Sequence, residues 1–205
     1  MAVVCKHYDI YGGPEGLHGS SAPGGRFRVK VNISERVWRE THLPPFEACV
    51  KNGALGMMCS YSAVAFEGSG QQPVPSCANT ALVRDELRGE LGFAQHVVGD
   101  CGALSNEYRP NAQGWAASAE DAAAKSMAAT TDLECEGADG PTSVYGNATL
   151  GNALRDKRIS IEQIDAALTR IYNSRMALGL LDVPQGQNPF DKLNGVRITQ
   201  TFSAR

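Results

Sequence analysis

Apolar positions along the chain alternate between short continuous runs and longer stretches with helical spacing, the pattern expected of a parallel α/β fold. The runs predict strands over residues 2–5, 56–61, 95–99 and 131–135. Between the second and third, residues 80–90 predict a helix, with Leu82, Val83 and Leu87 on one side and Gly92 just past its end. A second helix is predicted to start at Ser118, where Ser118-Ala119-Glu120-Asp121 resembles a capping box with Asp in place of Glu, and to run to about Ala129. The best-marked helix starts at Ser160, with Gln163 placed to reach back, and carries Ile164, Leu168, Ile171 and Leu178 before Gly179. Residues 35–52 predict a further helix that Pro44-Pro45 must break or restart, because neither proline can complete the backbone ladder. Segments 11–25, 66–75, 136–146 and 183–195 are rich in Gly, Pro, Ser or polar residues and read as loops.

Only four strand-helix units are legible, whereas a closed eight-stranded barrel takes about 250 residues. The expectation is therefore a small open sheet or a piece of something larger. The 205 residues are enough for one domain with a real core, and 42% apolar with 20% charged residues is a globular composition. A net charge of −3 with scattered Lys and Arg gives no basic field for nucleic acid. No apolar stretch approaches a membrane span, and the first residues are too short and too soon charged for a signal peptide. The six cysteines form no C-x-x-C or Cys/His cluster, so no metal is implied, and no cofactor is expected. Two sequons, at Asn32 and Asn147, permit glycosylation if the parent protein is secreted, which would also make disulfides plausible.

The residue that reads most directly as chemistry is Asp100, at the end of His96-Val97-Val98-Gly99. Parallel-sheet enzymes gather reactive groups at the C-terminal ends of such strands. On local pattern alone, Asp100 fits a helix cap as well.

Five segments in order, Cys5-Lys6-His7-Tyr8, Leu43-Pro44-Pro45-Phe46-Glu47-Ala48-Cys49-Val50, Met58-Cys59-Ser60-Tyr61, Val98-Gly99-Asp100-Cys101 and Asp132-Leu133-Glu134-Cys135, closely resemble successive motifs of glycoside hydrolase family 3. The nearest branch is that of the plant and fungal β-xylosidases and α-L-arabinofuranosidases. The resemblance continues to Gly179-Leu180-Leu181-Asp182, similar to the family's LGMFD. It implies a retaining β-glycosidase with a TIM-like first domain. Residues 1–182 would be the C-terminal half of that catalytic barrel, and 183–205 a tail or truncated linker.

By position, the resemblance makes Asp100 the nucleophile, Lys6 and His7 a sugar-binding pair, and Tyr61 a hydroxyl near the nucleophile. Glu134 falls where the branch has Asp, at the end of the last strand, and would contact substrate or cap the next segment. Glu15, His18 and Glu67 fall in rim loops, where charged side chains are usually just solvated. An Asp-His proton-transfer dyad of one other branch would place His18, but the surrounding residues do not reproduce its motif. Cys59 and Cys77 occupy positions where this branch also carries two cysteines, so a disulfide between them is the first expectation; Cys101 with Cys135 is the second.

Three positions depart from the family pattern: Gly99 replaces the Ser before the nucleophile, Gly102 the Asp two residues after it, and Ser62 the Asn after Ser-Tyr. The resemblance further implies that the earlier barrel strands and the second sandwich domain, which carries the acid/base Glu in most members, are absent. The complete form would act on terminal β-xylosides, arabinofuranosides or β-glucosides, outside the cell or in the cell wall. Its partner would be a small or oligosaccharide substrate, and this chain would need the absent barrel half and sandwich domain. The alternative is a non-catalytic sugar-binding remnant.

Overall fold

The computed structural model describes residues 2–11, 25–135 and 143–181. Three strands, β1 (Val4–Tyr8), β3 (Gly56–Cys59) and β6 (His96–Gly99), lie parallel in the order β1-β3-β6. Leu133 adds a fourth parallel position by bridging Val98. These correspond to the four expected strands, the last reduced to a single bridge, and they lie side by side in sequence order. Among the described residues the sheet is open, with no barrel closure.

The connections are helical. After β1 the chain forms a short turn of α1 (Glu35–Val37), capped by the Ser34 hydroxyl accepting from Val37 N at 3.3 Å. It widens over Trp38–His42 and restarts as α2 (Pro44–Lys51). The two prolines occupy the first positions of α2, where a missing N–H leaves no hydrogen bond unmade. The helix Ala81–Glu90 follows β3, and Leu91 N bonds back to Glu86 O across a widened turn. Then come α3 (Ala103–Tyr108) and α4 (Ala119–Ala128), and after Leu133, α5 (Asn147–Arg155) and α6 (Ile161–Ala177). Both predicted caps form. Ser160 and Gln163 make a reciprocal box. Ser118 accepts from Asp121 N, while the shorter Asp121 side chain accepts from Ala117 N, one residue before the cap.

A second small sheet was not legible. β2 (Lys30–Ile33) pairs parallel with β4 (Ala63–Phe66), and β4 pairs antiparallel with β5 (Val74–Pro75). It is built from the segments after β1 and β3, so residues 66–75, expected to be loop, begin and end in strand. Ala63, Val64 and Ala65 are buried on both faces, which removes the alternation that marks a half-exposed strand. The short helices α3 and α5 were also missed; α3 is a six-residue helix, and α5, with Leu150, Ala153 and Leu154 on one face, starts at the end of a segment read as loop.

Tyr8, Met57, Leu82, Leu87, Val97 and Leu104 fill the core between sheet and helices. One buried carboxylate binds the layers together. Asp132 accepts from Val97 N at 2.9 Å and pairs with Arg88 at 2.7 Å and Arg170 at 2.8 Å, joining β6, the Ala81–Glu90 helix and α6. Burial lowers the Arg88 pKa, and the facing Asp132 opposes that shift.

Three disulfides staple the fold: Cys5–Cys49, Cys59–Cys77 and Cys101–Cys135. The second and third are the expected pairs. The first, between β1 and α2, was not anticipated, because no sequence pattern places Cys49 beside β1.

Candidate active site

The site forms at the C-terminal ends of the parallel strands. Asp100 follows β6, its N–H donating to Cys59 O at 3.0 Å at the end of the neighbouring β3. Its Oδ1 accepts from Cys101 N at 2.8 Å and its Oδ2 lies 3.3 Å from His7 Nε2. The helix-cap alternative is not realised: the residue before α3 is Gly102, and no side chain caps that helix. Gly102 has φ +82°, a left-handed conformation that an Asp would adopt only at a cost. The departure from the family pattern thus has a backbone reason.

His7 reaches Asp100 because β1 is irregular there. Lys6 is opposite Met58 and Tyr8 opposite Cys59, leaving His7 as the extra residue between them. A bulge of this kind re-aims a side chain next to a reactive centre. His7 also stacks at a tilt on Tyr11, with ring centroids 4.6 Å apart. Lys6 is exposed and lines, with His7, Asp9, Thr41 and His42, a hollow of about 320 Å³.

Tyr61 follows β3 and donates its hydroxyl to Cys101 O at 2.6 Å. Burial, and secondarily the negative charge of Asp100, push its pKa up, so it remains a neutral donor. Tyr11, Phe27 and Arg26 surround Tyr61: Phe27 packs edge-on at 4.7 Å, and the Arg26 guanidinium lies 5.5 Å from the Tyr61 ring centre. Sequence reasoning missed these three, which lie in or beside a segment read as loop. Asp9 was missed as well. Burial raises its pKa, opposed by hydrogen bonds from Trp38 Nε1 and Ile10 N.

The structure thus brings His7, Tyr61 and Asp100 together, with Lys6 at the hollow beside them. Glu134 is occupied elsewhere, accepting from the Ser143 hydroxyl and from Val144 N, and so holds the following segment. Glu67 is solvent-exposed just past β4. Glu15 and His18 lie outside the described residues.

The other two departures are also explained. A Cβ at Gly99 would lie 2.3 Å from Leu104 Cδ1, so the core Leu occupies the space a Ser would need. Ser62 is buried and donates to Ile10 O at 2.9 Å, while its carbonyl accepts from the Ser76 hydroxyl at 2.8 Å. It fastens the loop after β1 to the loop after β3.

A parallel α/β layer with a carboxylate, an imidazole and a phenol converging at its strand ends is the framework of a (β/α)-type enzyme. The comparisons specify which. The family described as "Glycosyl hydrolase family 3 N terminal domain" matches residues 1–174, and the chain belongs to that family. It is 34% identical over 193 residues to an exo-1,4-beta-xylosidase of Emericella nidulans, covering 91% of this chain and 22% of that protein. It is 30% identical over 180 residues to a xylan 1,4-beta-xylosidase of Xylanibacter ruminicola, covering 87% and 18%. Among solved structures, a family 3 exo-beta-xylosidase in complex with a xylobiose aziridine probe matches with TM-score 0.71 at 28% identity, over 92% of this chain and 22% of that one. A beta-glucosidase of Listeria innocua in complex with glucose matches with TM-score 0.71 at 28% identity, over 97% and 24%. The chain therefore spans less than a quarter of the length of these relatives.

Proposed function

We propose that residues 1–182 are the C-terminal half of the catalytic barrel of a retaining family 3 β-glycosidase, with Asp100 as the nucleophile. The complete protein acts on terminal β-xylosides, with arabinofuranosides and β-glucosides as the neighbouring possibilities. The observation that carries this reading is the convergence of His7 and Cys101 N on the Asp100 carboxylate at a strand end. Cys101 N donates to one carboxylate oxygen, His7 Nε2 faces the other, and the neutral phenol of Tyr61 lies beside them. Attack on the anomeric carbon forms a glycosyl-enzyme, while a second carboxyl group about 5 Å away protonates the leaving oxygen and then activates water. In this proposal that group comes from the remainder of a longer protein, as the family resemblance implies. Lys6 and His7 hold sugar hydroxyls. Three disulfides support an oxidising compartment outside the cell or in the cell wall, where the sequons at Asn32 and Asn147 would be available for glycosylation.

The test is to inactivate the complete protein with a 2-fluoro xylosyl inhibitor and map the label by mass spectrometry. Label on Asp100 is expected; attachment to any other residue overturns the assignment. The 205-residue chain alone is expected to give no turnover of aryl β-xylosides.

A second reading, a sugar-binding remnant without catalysis, draws on Gly99, where a Ser Cβ would displace the Leu104 side chain, and on Ser62, which is committed to loop contacts. Calorimetric binding of xylose-type ligands by the complete protein without turnover or labelling would favour it.

A further inference from the structure

Cys101 is held at three points. Its N–H donates to Asp100 Oδ1 at 2.8 Å, its carbonyl accepts from Tyr61 at 2.6 Å, and its sulfur is bonded to Cys135. Its peptide groups therefore touch both Asp100 and the phenol beside it. On the β6 side the chain is fixed by the sheet, with Gly99 N bonded to Leu133 O at 2.8 Å and Asp100 N to Cys59 O at 3.0 Å. On the α3 side comes Gly102, in the left-handed region and without a side chain to hold the turn. The disulfide is the covalent anchor between these two. Its far end is also fixed, since Cys135 follows Glu134, which is bound to Ser143 and Val144.

The three bridges differ in exposure. Cys59 and Cys77 are buried, Cys5 and Cys49 half-buried, and Cys101 and Cys135 exposed. A reductant in solution meets the Cys101–Cys135 bridge first.

We infer that the Cys101–Cys135 disulfide is a positioning strut for Asp100, acting through the Cys101 peptide, and that a dithiol reductant lowers the reactivity of the site by cutting it. The inference rests on the reading of Asp100 as nucleophile. In the reduction, the dithiol supplies two electrons and two protons. The S–S bond breaks, Cys101 and Cys135 become thiols, and the dithiol closes to its own disulfide. The turn at Gly102 is then free to rotate the Cys101 N–H away from Oδ1. Misplacement of a reacting group by about 1 Å costs up to about 100-fold in rate.

The experiment uses the complete protein and the 2-fluoro xylosyl inactivator. A Cys101→Ser/Cys135→Ser variant keeps the backbone N–H and carbonyl of residue 101 and removes only the covalent bond that holds them in place. Its maximal inactivation rate constant is expected to fall at least about tenfold, while the inactivator concentration at half-maximal rate stays within about twofold. A Cys5→Ser/Cys49→Ser variant, cut at a bridge away from Asp100, is expected to keep the wild-type rate constant. Mild dithiol treatment of the wild type, with alkylation mapping confirming that only Cys101 and Cys135 are reduced, should reproduce the fall, and reoxidation should restore the rate. This arm decides the matter if the Cys101/Cys135 variant does not fold. Label on Asp100 with an unchanged rate constant after the bridge is cut overturns the strut alone, as does an equal fall in the Cys5/Cys49 variant. Label on another residue overturns the nucleophile reading, and the strut with it.

Discussion

Two single residues carry tests that reach beyond the active site. Glu107 is wholly buried, with Oε1 accepting from Ser126 at 2.8 Å and Oε2 without a hydrogen-bond partner. Burial raises its pKa well above the ordinary carboxylate value, with Ser126 and Lys125 opposing. Because the folded value lies above the unfolded one, the folded state holds the proton more tightly. Glu107 therefore contributes stability below its unfolded pKa, and that contribution is lost as pH rises towards its folded pKa. Asp9, also raised by burial, acts with the same sign. Urea unfolding across this range should show stability falling with pH, and Glu107→Gln should flatten the slope without abolishing the Asp9 part. An unchanged slope would refute the assignment. At Gly99, substitution by Ser forces its Cβ against Leu104 and is expected to cost about 1–3 kcal/mol. In a double-mutant cycle with Leu104→Ala the two costs should be less than additive; strict additivity would show that the contact is not limiting.

The elements owe their ends to local chemistry and their places to distant partners. α6 begins where Ser160 and Gln163 cap each other, and Ser160→Ala is expected to cost about 1 kcal/mol, lowering Tm by about 2–4 °C in thermal unfolding. That cap was legible because a box needs only four consecutive residues. The seat of α6 was not: Arg170 meets Asp132, and the Ser174 hydroxyl meets Leu55 O at 3.0 Å and the His96 ring at 2.9 Å. Burial lowers the His96 pKa, so the ring serves as a neutral hydrogen-bond partner. The second sheet shows the same division. Lys30–Ile33 carries a weak local signal, and only its pairing with the buried Ala63–Phe66 run makes it a strand.

For the whole molecule, three bridges close loops with separations of 44, 18 and 34 residues. Each is expected to add about 2–4 kcal/mol by restricting the unfolded chain. Full reduction should therefore lower Tm sharply in calorimetry, and a Tm unchanged by reductant would show that the bridges are dispensable to the fold. The sequence by itself determined the parallel α/β class, the caps at Ser118 and Ser160 and, through ordered motifs, the family, beside which two of the three bridges were expected. Those features are written in consecutive residues, as short apolar runs, capping pairs and strings such as Met58-Cys59-Ser60-Tyr61. Tertiary structure decided the rest: the bulge that turns His7 onto Asp100, the Cys5–Cys49 bridge, and the Tyr61 hydroxyl that meets the Cys101 carbonyl. Each joins residues far apart in the chain, and their meeting depends on strand register and packing, which no local pattern encodes.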